Sequence, residues 1–505
     1  MKKSFGRRIP GLLLTILLSA AMVLFLIGLA RTQLFPVKYL LLAGGVCLLF
    51  AVIVGLLTRD VKRIGGMILG IILTALIAAA MWLATSYLMD AVNTLNKLTQ
   101  VQVEIADVGV YVRSDDPAKD LTDATGYNFG IMTELDRENT DTVLGELNEE
   151  LGTQLKVQEL AGLEELVDGL VTDRQVDAII VNSAYLELLE DMEGYEQMYA
   201  QLRELHARQV ETVIETVVEE PTVPETQEET NPIEQIVEEA TQEEEPAFEP
   251  FIVYISGIDS YKSLKAKGRS DVNILAVVNP NTRQVLLLST PRDYYVPLPN
   301  SKGKPDKLTH AGIYGIKVSV GALEMLYDID IDYYFRVNFS GFEKIIDALG
   351  GITVESPQAF KSAEGYSFKK GENKLNGAKA LAFARERKAF TSGDRQRGKN
   401  QMAVIKAVMN KAMSPKILTK YTDLMDSVSG CFETSMPYDK IAELVRMQLE
   451  EGGSWNIVSY SVDGTGAKKK PYSLSTKAYV MVPNQETVDK AIKKINQVLD
   501  GKTLK

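Results

Sequence analysis

The sequence predicts a membrane-tethered α/β protein, and three observations point there. Three apolar runs, 10–30, 37–57 and 64–88, follow one another at the start of the chain. Two later stretches, about 101–200 and 250–500, alternate strand-like and helix-like patterns, the rhythm of α/β domains. Between them lies an acidic, proline-bearing segment without a basic residue. The 505 residues therefore divide into a membrane anchor over 1–90, a small α/β accessory domain over 91–210, a linker over 211–249 and a larger α/β domain over 250–505.

Each anchor run is near the ~20 residues a helix needs to cross a bilayer. Lys2, Lys3, Arg7 and Arg8 precede the first run, and Arg59, Lys62 and Arg63 separate the second from the third. The first loop carries only Arg31 and Lys38. The positive-inside rule then puts the N-terminus and second loop in the cytoplasm and everything after about residue 90 outside, in a multi-pass cell-membrane protein. The first run has no small-residue cleavage site and further spans follow it, so it reads as an anchor, not a removable signal.

Cys47 lies in the second run and Cys431 in the distal domain, so no intramolecular disulfide is expected. His206 and His310 are too few for a His-rich metal site. The net charge of −12 is local: residues 211–250 hold 14 Glu and no Lys or Arg, leaving about +2 for the rest. With Pro221, Pro224, Pro232, Pro246 and Pro250, that segment reads as an extended, self-repelling, mobile linker. Nothing in it supports a nucleic-acid partner, and the topology leaves only short segments inside the cell for one.

Residues 91–100 read as a helical neck. Segments such as VEIADVGVYV, YNFGIMT and DTVLGELNEELG then give a βαβ rhythm over 101–200. DAIIVNSAYLELL resembles one lobe of a solute-binding fold but brings no ligand motif, so a scaffold or interaction role is expected. His206 falls on a C-terminal helical extension as a solvated residue.

In the distal domain FIVYISGID is a buried strand delivering a loop with Asp259. A basic loop leads to Arg269 and Asp271 at the entry of a second strand. QVLLLSTPRDYYV is a third, with Arg292 and Asp293 past its end. Ligands of α/β sheets gather at such strand ends, although any one Asp could equally cap a turn. Lys307 could reach an anion but reads as a solvated loop cation, and His310 reads as a hydrogen-bonding loop residue. The patterns that follow are helix, strand (YYFRVNF), helix (GFEKIIDAL), a Gly-Gly stop and a strand, and the tail closes with two strands and a helix.

The most charged stretch is LAFARERKAFTSGDRQRGKNQ, 381–401. Arg385 and Arg387 stand two apart, so at a strand end both would face one way. Asp394, Arg397 and Gln401 stand at i, i+3 and i+7, one face of a helix. Guanidinium forks converging in this way suit a multiply charged phosphate. A solvated basic loop is the plainer alternative.

These segments resemble the LytR–CpsA–Psr family of bacterial cell-envelope proteins. The resemblance is carried by SGIDS at 256–260, GRSDVNIL at 268–275, STPRDYYV at 289–296, HAGIYG at 310–315, FRVNFSGFEKIIDALGGITV at 335–354 and FARERKAFTSGDRQRGKNQ at 383–401. Three spans before an outer accessory domain look like the CpsA branch, associated with streptococcal and related capsules. The resemblance implies an α/β/α fold with a central mixed sheet around a polyprenyl pocket. It implies transfer of a glycopolymer, capsular or teichoic-acid-like, from an undecaprenyl-pyrophosphate carrier to peptidoglycan, by cleavage of the bond from sugar to pyrophosphate-lipid. Hydrolysis of the pyrophosphate would be a side activity. Asp259 and Asp271 look like Mg²⁺ ligands. Arg269, Arg292, Arg385, Arg387, Arg397 and Gln401 look like the pyrophosphate clamp, with Asp394, Arg385 and Arg387 catalytic. Asp394 would orient the arginines or take the acceptor's proton. Asn400 departs from the pattern, since many relatives carry Arg there. Membrane lipid is a further implied partner, and capsule or wall biosynthesis proteins are the partners expected of the accessory domain.

The residues themselves agree. Transfer from a pyrophosphate needs charge neutralisation more than covalent chemistry, and Mg²⁺ takes one or two carboxylates plus phosphate oxygens and water. No nucleophile–base pair or GxSxG elbow occurs, which leaves the acceptor hydroxyl as nucleophile. The competing expectation is a non-enzymatic membrane regulator or scaffold that senses lipid-linked precursor through the same arginines. Three carboxylates beside a dianion argue against it.

Overall fold

A computed structural model describes residues 9–59, 64–99, 102–214, 248–258, 263–391, 393–414, 428 and 430–504. Asp259 and most of the acidic segment lie outside the described residues. Helices α1 (Ile9–Arg31), α2 (Val37–Thr58) and α3 (Ile64–Thr99) hold the stretches Pro10–Arg31, Val37–Thr58 and Ile64–Asp90, each long and apolar enough to cross a membrane, with mean hydropathies of 2.8, 2.9 and 2.4. Leu12, Leu17, Leu24, Leu41, Leu48 and Trp82 are exposed on them, as lipid-facing residues would be. Thr58 Oγ1 donates to the Val54 carbonyl (2.8 Å) and Thr74 Oγ1 to that of Gly70 (2.9 Å), so these two hydroxyls are satisfied within their own helices. Beyond Asp90 the same helix α3 continues as the expected neck.

The accessory domain holds β1 (Gln102–Arg113), β2 (Asn128–Met132), α4 (Arg137–Leu151), β3 (Lys156–Leu160), α5 (Leu163–Val171), β4 (Ala178–Asn182) and β5 (Leu202–Ile214). Its sheet runs β3-β2-β4-β1-β5, with β1 antiparallel to both neighbours and β2 parallel to both of its own. Alternation along β1 sends Val108, Val110 and Val112 toward Val143 and Leu147 of α4, and Tyr111 toward Leu166 and Leu170 of α5. The helical extension expected around His206 is a strand instead. His206 sits on β5, paired with Val110 of β1, because a sheet edge was available to a segment whose pattern alone also suited a helix.

The distal domain contains β6 (Phe251–Ile258), β7 (Ser270–Asn279), β8 (Gln284–Ser289), β9 (Tyr295–Pro297), β10 (Pro305–Lys307), α6 (Ile316–Tyr327), β11 (Tyr333–Asn338), α7 (Phe339–Ala348), β12 (Ile352–Ser356), β13 (Gly371–Leu375), α8 (Gly377–Arg385), α9 (Asp394–Ala412), β14 (Phe432–Thr434), α10 (Tyr438–Glu451), β15 (Asn456–Ser461) and α11 (Gln485–Leu499). Six strands form a mixed sheet, β14-β11-β6-β7-β8-β15, parallel at β11/β6 and β8/β15. Period-2 alternation sorts the core. Tyr254, Leu275, Val277, Leu286 and Leu288 pack with Leu323 of α6 and Ile495 of α11. On the other face Ile274, Ala276, Val285 and Leu287 pack with Met402, Ile405 and Met409 of α9. The expected α/β/α layering is therefore present.

Arg385 was expected at a strand end; it is the last residue of helix α8. Asn376 caps that helix, accepting from the Lys379 N–H at 3.1 Å, and ALAFA is a good helical run whose Phe383 is fully buried. The chain becomes extended only at Glu386.

Accessory and distal domains touch along the start of β1. Ile105 donates to the Lys265 carbonyl (2.7 Å) and accepts from the Lys267 N–H (3.0 Å). Buried Glu104 accepts from Arg336 Nη1 and from the Ile316 N–H, both at 2.9 Å. β1 thus lies against the segment that leads into Arg269.

Candidate active site

A cavity of about 1000 Å³ lies on the α9 side of the six-stranded sheet. Its walls are apolar: Val253, Ile255, Val272, Ala276 and Val278 from the sheet, Val404, Ile405 and Val408 from α9, and Leu444 from α10. Strand register separates its two ends. Trp455 precedes Asn456, which pairs with Gln284 at the start of β8, and Leu449, Gly452 and Tyr39 of α2 line the same end. There Lys38 Nζ donates to the Glu450 carbonyl (2.6 Å) and Leu34 and Val92 pack with Tyr438, so this end adjoins the apolar helices. Arg269, Asp271 and Arg292 line the other end, where β6 and β8 finish and β7 begins. The eight residues of β6 span about 25 Å.

At this polar end Arg269 is held by its backbone. The Gly268 N–H donates to the Gly312 carbonyl (3.3 Å), and a Cβ at Gly312 would collide with the Gly268 carbonyl. Asp271 accepts from Arg292 Nη1 (2.6 Å) and from Thr309 Oγ1 (3.0 Å). The Nε groups of Arg269 and Arg292 are buried without a hydrogen-bond partner among the described residues, so donors remain for a ligand.

The chain leaving α8 presents Arg385 and Arg387 to the cavity, while Glu386 between them is buried. Glu386 accepts from the Ala363 and Ala389 N–H groups (2.8 and 2.9 Å), which locks the alternation. Arg385 also stacks over the Phe339 ring, 4.3 Å from its centroid. On α9, Arg397 and Gln401 line the cavity, and Arg397 pairs with Asp394 at 2.5 Å. Gly398 permits this, because a Cβ there would stand 2.9 Å from Ser289 Oγ at the end of β8. Asn400 faces away: it donates to the Phe383 carbonyl (3.2 Å) and ties α9 to α8, so its departure from the family pattern leaves the cavity wall untouched. Arg395 also turns outward, to Asp463 at 2.7 Å.

The structure therefore brings together Arg269, Asp271, Arg292, Arg385, Arg387, Arg397 and Gln401, with Asp394 beside Arg397. Asp259, the other expected metal ligand, lies outside the described residues. Among the described residues no group of three or more His, Cys, Asp or Glu side chains could hold a metal.

Sequence reasoning missed a cluster beside these residues. Lys307, expected to be solvated, is buried, with Nζ 3.1 Å from Asp191 and 3.7 Å from Asp293. His310 is fully buried, with Nδ1 2.8 Å from Asp306 and Nε2 3.2 Å from Asp191. Asp191 belongs to the accessory domain, in the short turn Glu187–Asp191 that follows β4. The same turn surrounds Arg269: Glu190 at 2.9 Å, Glu187 at 3.7 Å and Asp191 at 4.0 Å. Burial pushes the Asp191 carboxyl up, but His310, Lys307 and Arg269 outweigh it and hold it well below the usual carboxylate range. Burial favours neutral His310, yet Asp306 and Asp191 outweigh that and raise its pKa. The available signal was the pattern E-LL-ED, two apolar residues that must be buried, flanked by carboxylates that must then point elsewhere.

Residues 217–497, more than half of the chain, match the model of the LytR_cpsA_psr family. The chain belongs to the LytR–CpsA–Psr family. Among curated relatives of this LytR–CpsA–Psr protein is the polyisoprenyl-teichoic acid–peptidoglycan teichoic acid transferase TagU of Bacillus licheniformis, 35% identical over 221 residues, which are 44% of this chain and 70% of the relative. TagU of Bacillus subtilis is 37% identical over the same shares. Among solved structures, Bacillus subtilis TagV is 30% identical, with a TM-score of 0.43 over 51% of this chain and 99% of its own. Described accessory residues 102–214 precede the matched range.

Proposed function

We propose that this LytR–CpsA–Psr protein transfers a glycopolymer from a polyprenyl-pyrophosphate carrier to peptidoglycan outside the cell membrane. The observation that carries the reading is one continuous cavity, apolar from Tyr39 and Trp455 inward and lined by arginines at its far end. An apolar chain with an anionic head group matches that polarity, and it could pass from the bilayer into the cavity at the end adjoining the apolar helices. The curated relatives' names, which join a polyisoprenyl-linked teichoic acid to peptidoglycan, support the same substrate classes. Capsular polysaccharide and teichoic-acid-like polymers are both of the right class.

In this reading Arg269, Arg292, Arg385, Arg387, Arg397 and Gln401 bind the pyrophosphate. The acceptor hydroxyl attacks the sugar carbon that bears the pyrophosphate, the bond from that sugar to the pyrophosphate-lipid breaks, and the negative charge stays on the lipid pyrophosphate among the guanidinium groups. Asp394, fastened to Arg397, orients that arginine or takes the hydroxyl proton. Asp271 offers hard carboxylate oxygens at the polar end of the cavity and, among the described residues, stands in no all-protein cage; Asp259 and phosphate oxygens would complete an Mg²⁺ site there. Bound there, the ion would neutralise the departing phosphate. The N-terminus is cytoplasmic and residues from about 91 onward are external.

The test is transfer by the purified full chain from a lipid-linked polymer to a peptidoglycan oligomer, followed by mass spectrometry of the acceptor. Expected is a covalent product that disappears in Arg387→Ala. Tight binding of polyprenyl pyrophosphate with no product under any divalent cation would instead favour the sensor.

A further inference from the structure

We infer that Glu190 of the accessory domain holds Arg269 in the donor-free protein and gives way to the donor's pyrophosphate when the carrier binds. The inference rests on the reading of Arg269 as part of the donor site.

The turn Glu187–Asp191 is fixed from below. Leu188 and Leu189 are buried in the accessory core, so Glu187, Glu190 and Asp191 project toward the distal domain. The carboxylates around Arg269 then differ in how readily they can leave. Asp191 is mostly buried and bridges Lys307 and His310, two buried groups that would lose a partner if it moved. It is the anchor. Glu190 has a side chain 66% exposed, and its one hydrogen bond among the described residues comes from Arg269 Nη2, at 2.9 Å. Released from Arg269 it returns to water at little cost, because it was never fully desolvated.

A pyrophosphate brings at least two further negative charges into a site where Glu187, Glu190, Asp191 and Asp271 already face Arg269 and Arg292. Like charges at such distances repel, so the most exposed carboxylate is displaced first. Glu190 and Asp191 both line the cavity, which puts the exchange at the donor's position and not at a remote surface. The turn lies outside the range matched to the family, so the device belongs to this chain's accessory domain. Its effect is to set donor affinity: the arginine stays paired until a stronger anion arrives.

The experiment measures binding of a short polyprenyl pyrophosphate to the detergent-solubilised full chain. Glu190→Gln should bind about three- to tenfold tighter, the range expected when one partly exposed charged competitor is removed. Glu193→Gln is the control: it lies on the same segment but pairs with Lys468, and it should change affinity by less than about twofold. Arg269→Ala should weaken binding, and Glu190→Gln should add nothing in that background. If Arg269→Ala weakens binding while Glu190→Gln leaves it unchanged or weaker, the exchange is refuted and the donor-site reading stands. Equal tightening by Glu193→Gln would also refute it, since diffuse charge would explain both. Unchanged binding in Arg269→Ala removes the underlying reading and the inference with it.

Discussion

Glu104→Ala should loosen the junction between the accessory and distal domains. Glu104 is only 6% exposed and its carboxylate meets Arg336, 2% exposed, at 2.9 Å, while accepting the N–H that begins α6. Removing one partner of a buried pair typically costs roughly 3–5 kcal/mol, because the other charge is left uncompensated. Arg336 keeps the Ala266 carbonyl at 2.8 Å and Glu433 at 3.9 Å. The expected loss is therefore at the lower end, about 3 kcal/mol. Hydrogen exchange is the suitable assay in a chain of several domains, since it reads local opening and needs no single global transition. Amides at the start of α6 and along β1 from Ile105 should exchange faster together in Glu104→Ala. The double variant Glu104→Leu with Arg336→Met, which leaves neither charge buried, should recover more than half of the loss. A single variant within about 1 kcal/mol of the parent, or a double variant no better than the single, would refute the assignment of this pair as what fixes the junction.

Arg385→Lys and Arg387→Lys should each cut transfer about ten- to a hundredfold, because an ammonium cannot reproduce a fork's paired hydrogen bonds; Lys493→Arg, on the exposed face of α11, is the control in the same rate assay. Gly312→Ala should push the Gly268 backbone and Arg269 out of place, at about 1–3 kcal/mol of overpacking, and is read as weakened polyprenyl-pyrophosphate binding by a chain with unchanged circular dichroism. Stability should also depend on His310. Its folded pKa is raised above 6.5, so its contribution is full below that value and is lost as pH rises through the folded pKa. The opposing group, Asp191, has a lowered pKa and contributes above its ordinary value of 3.8, failing only in strong acid. Thermal unfolding followed from about pH 5 to about pH 8 should show a falling limb at the alkaline side that His310→Gln flattens.

The layered fold could be read from the sequence because its signals are local. FIVYISGI, QVLLLS and YYFRVN are short apolar or alternating runs bounded by turn residues, and each became a strand of the central sheet. The i, i+3, i+7 spacing of Asp394, Arg397 and Gln401 became one face of α9 for the same reason. Arg385 and Arg387 both line the cavity, but from a local structure other than the one expected. Spacing by two suits a strand, but helix propensity and an Asn cap carried the helix through Arg385 before the chain straightened. The burial of Lys307 and its partner could not be read. That burial depends on Asp191, distant in sequence, and a lone Lys in a loop carries no sign of a partner that distant.

Two kinds of charged contact join the accessory and distal domains, and charge composition explains why both can exist. Residues 102–210 contain 25 acidic and 7 basic side chains, whereas 251–505 contain 38 basic and 26 acidic, so the surfaces attract before any specific contact forms. That attraction alone would be diffuse and screened by salt. Specificity comes from desolvated pairs: Glu104 with Arg336, and Asp191 with Lys307 and His310, where each carboxylate satisfies a buried cation that has few alternatives. Glu190 on Arg269 and Glu193 on Lys468 are of the other kind, each with an exposed carboxylate. A domain attached only by pairs like Glu190 would come away whenever an anionic ligand arrived. One attached only by pairs like Glu104 could not yield a charge to that ligand. With both, the accessory domain stays docked while a single carboxylate at the rim of the arginine cluster is free to exchange.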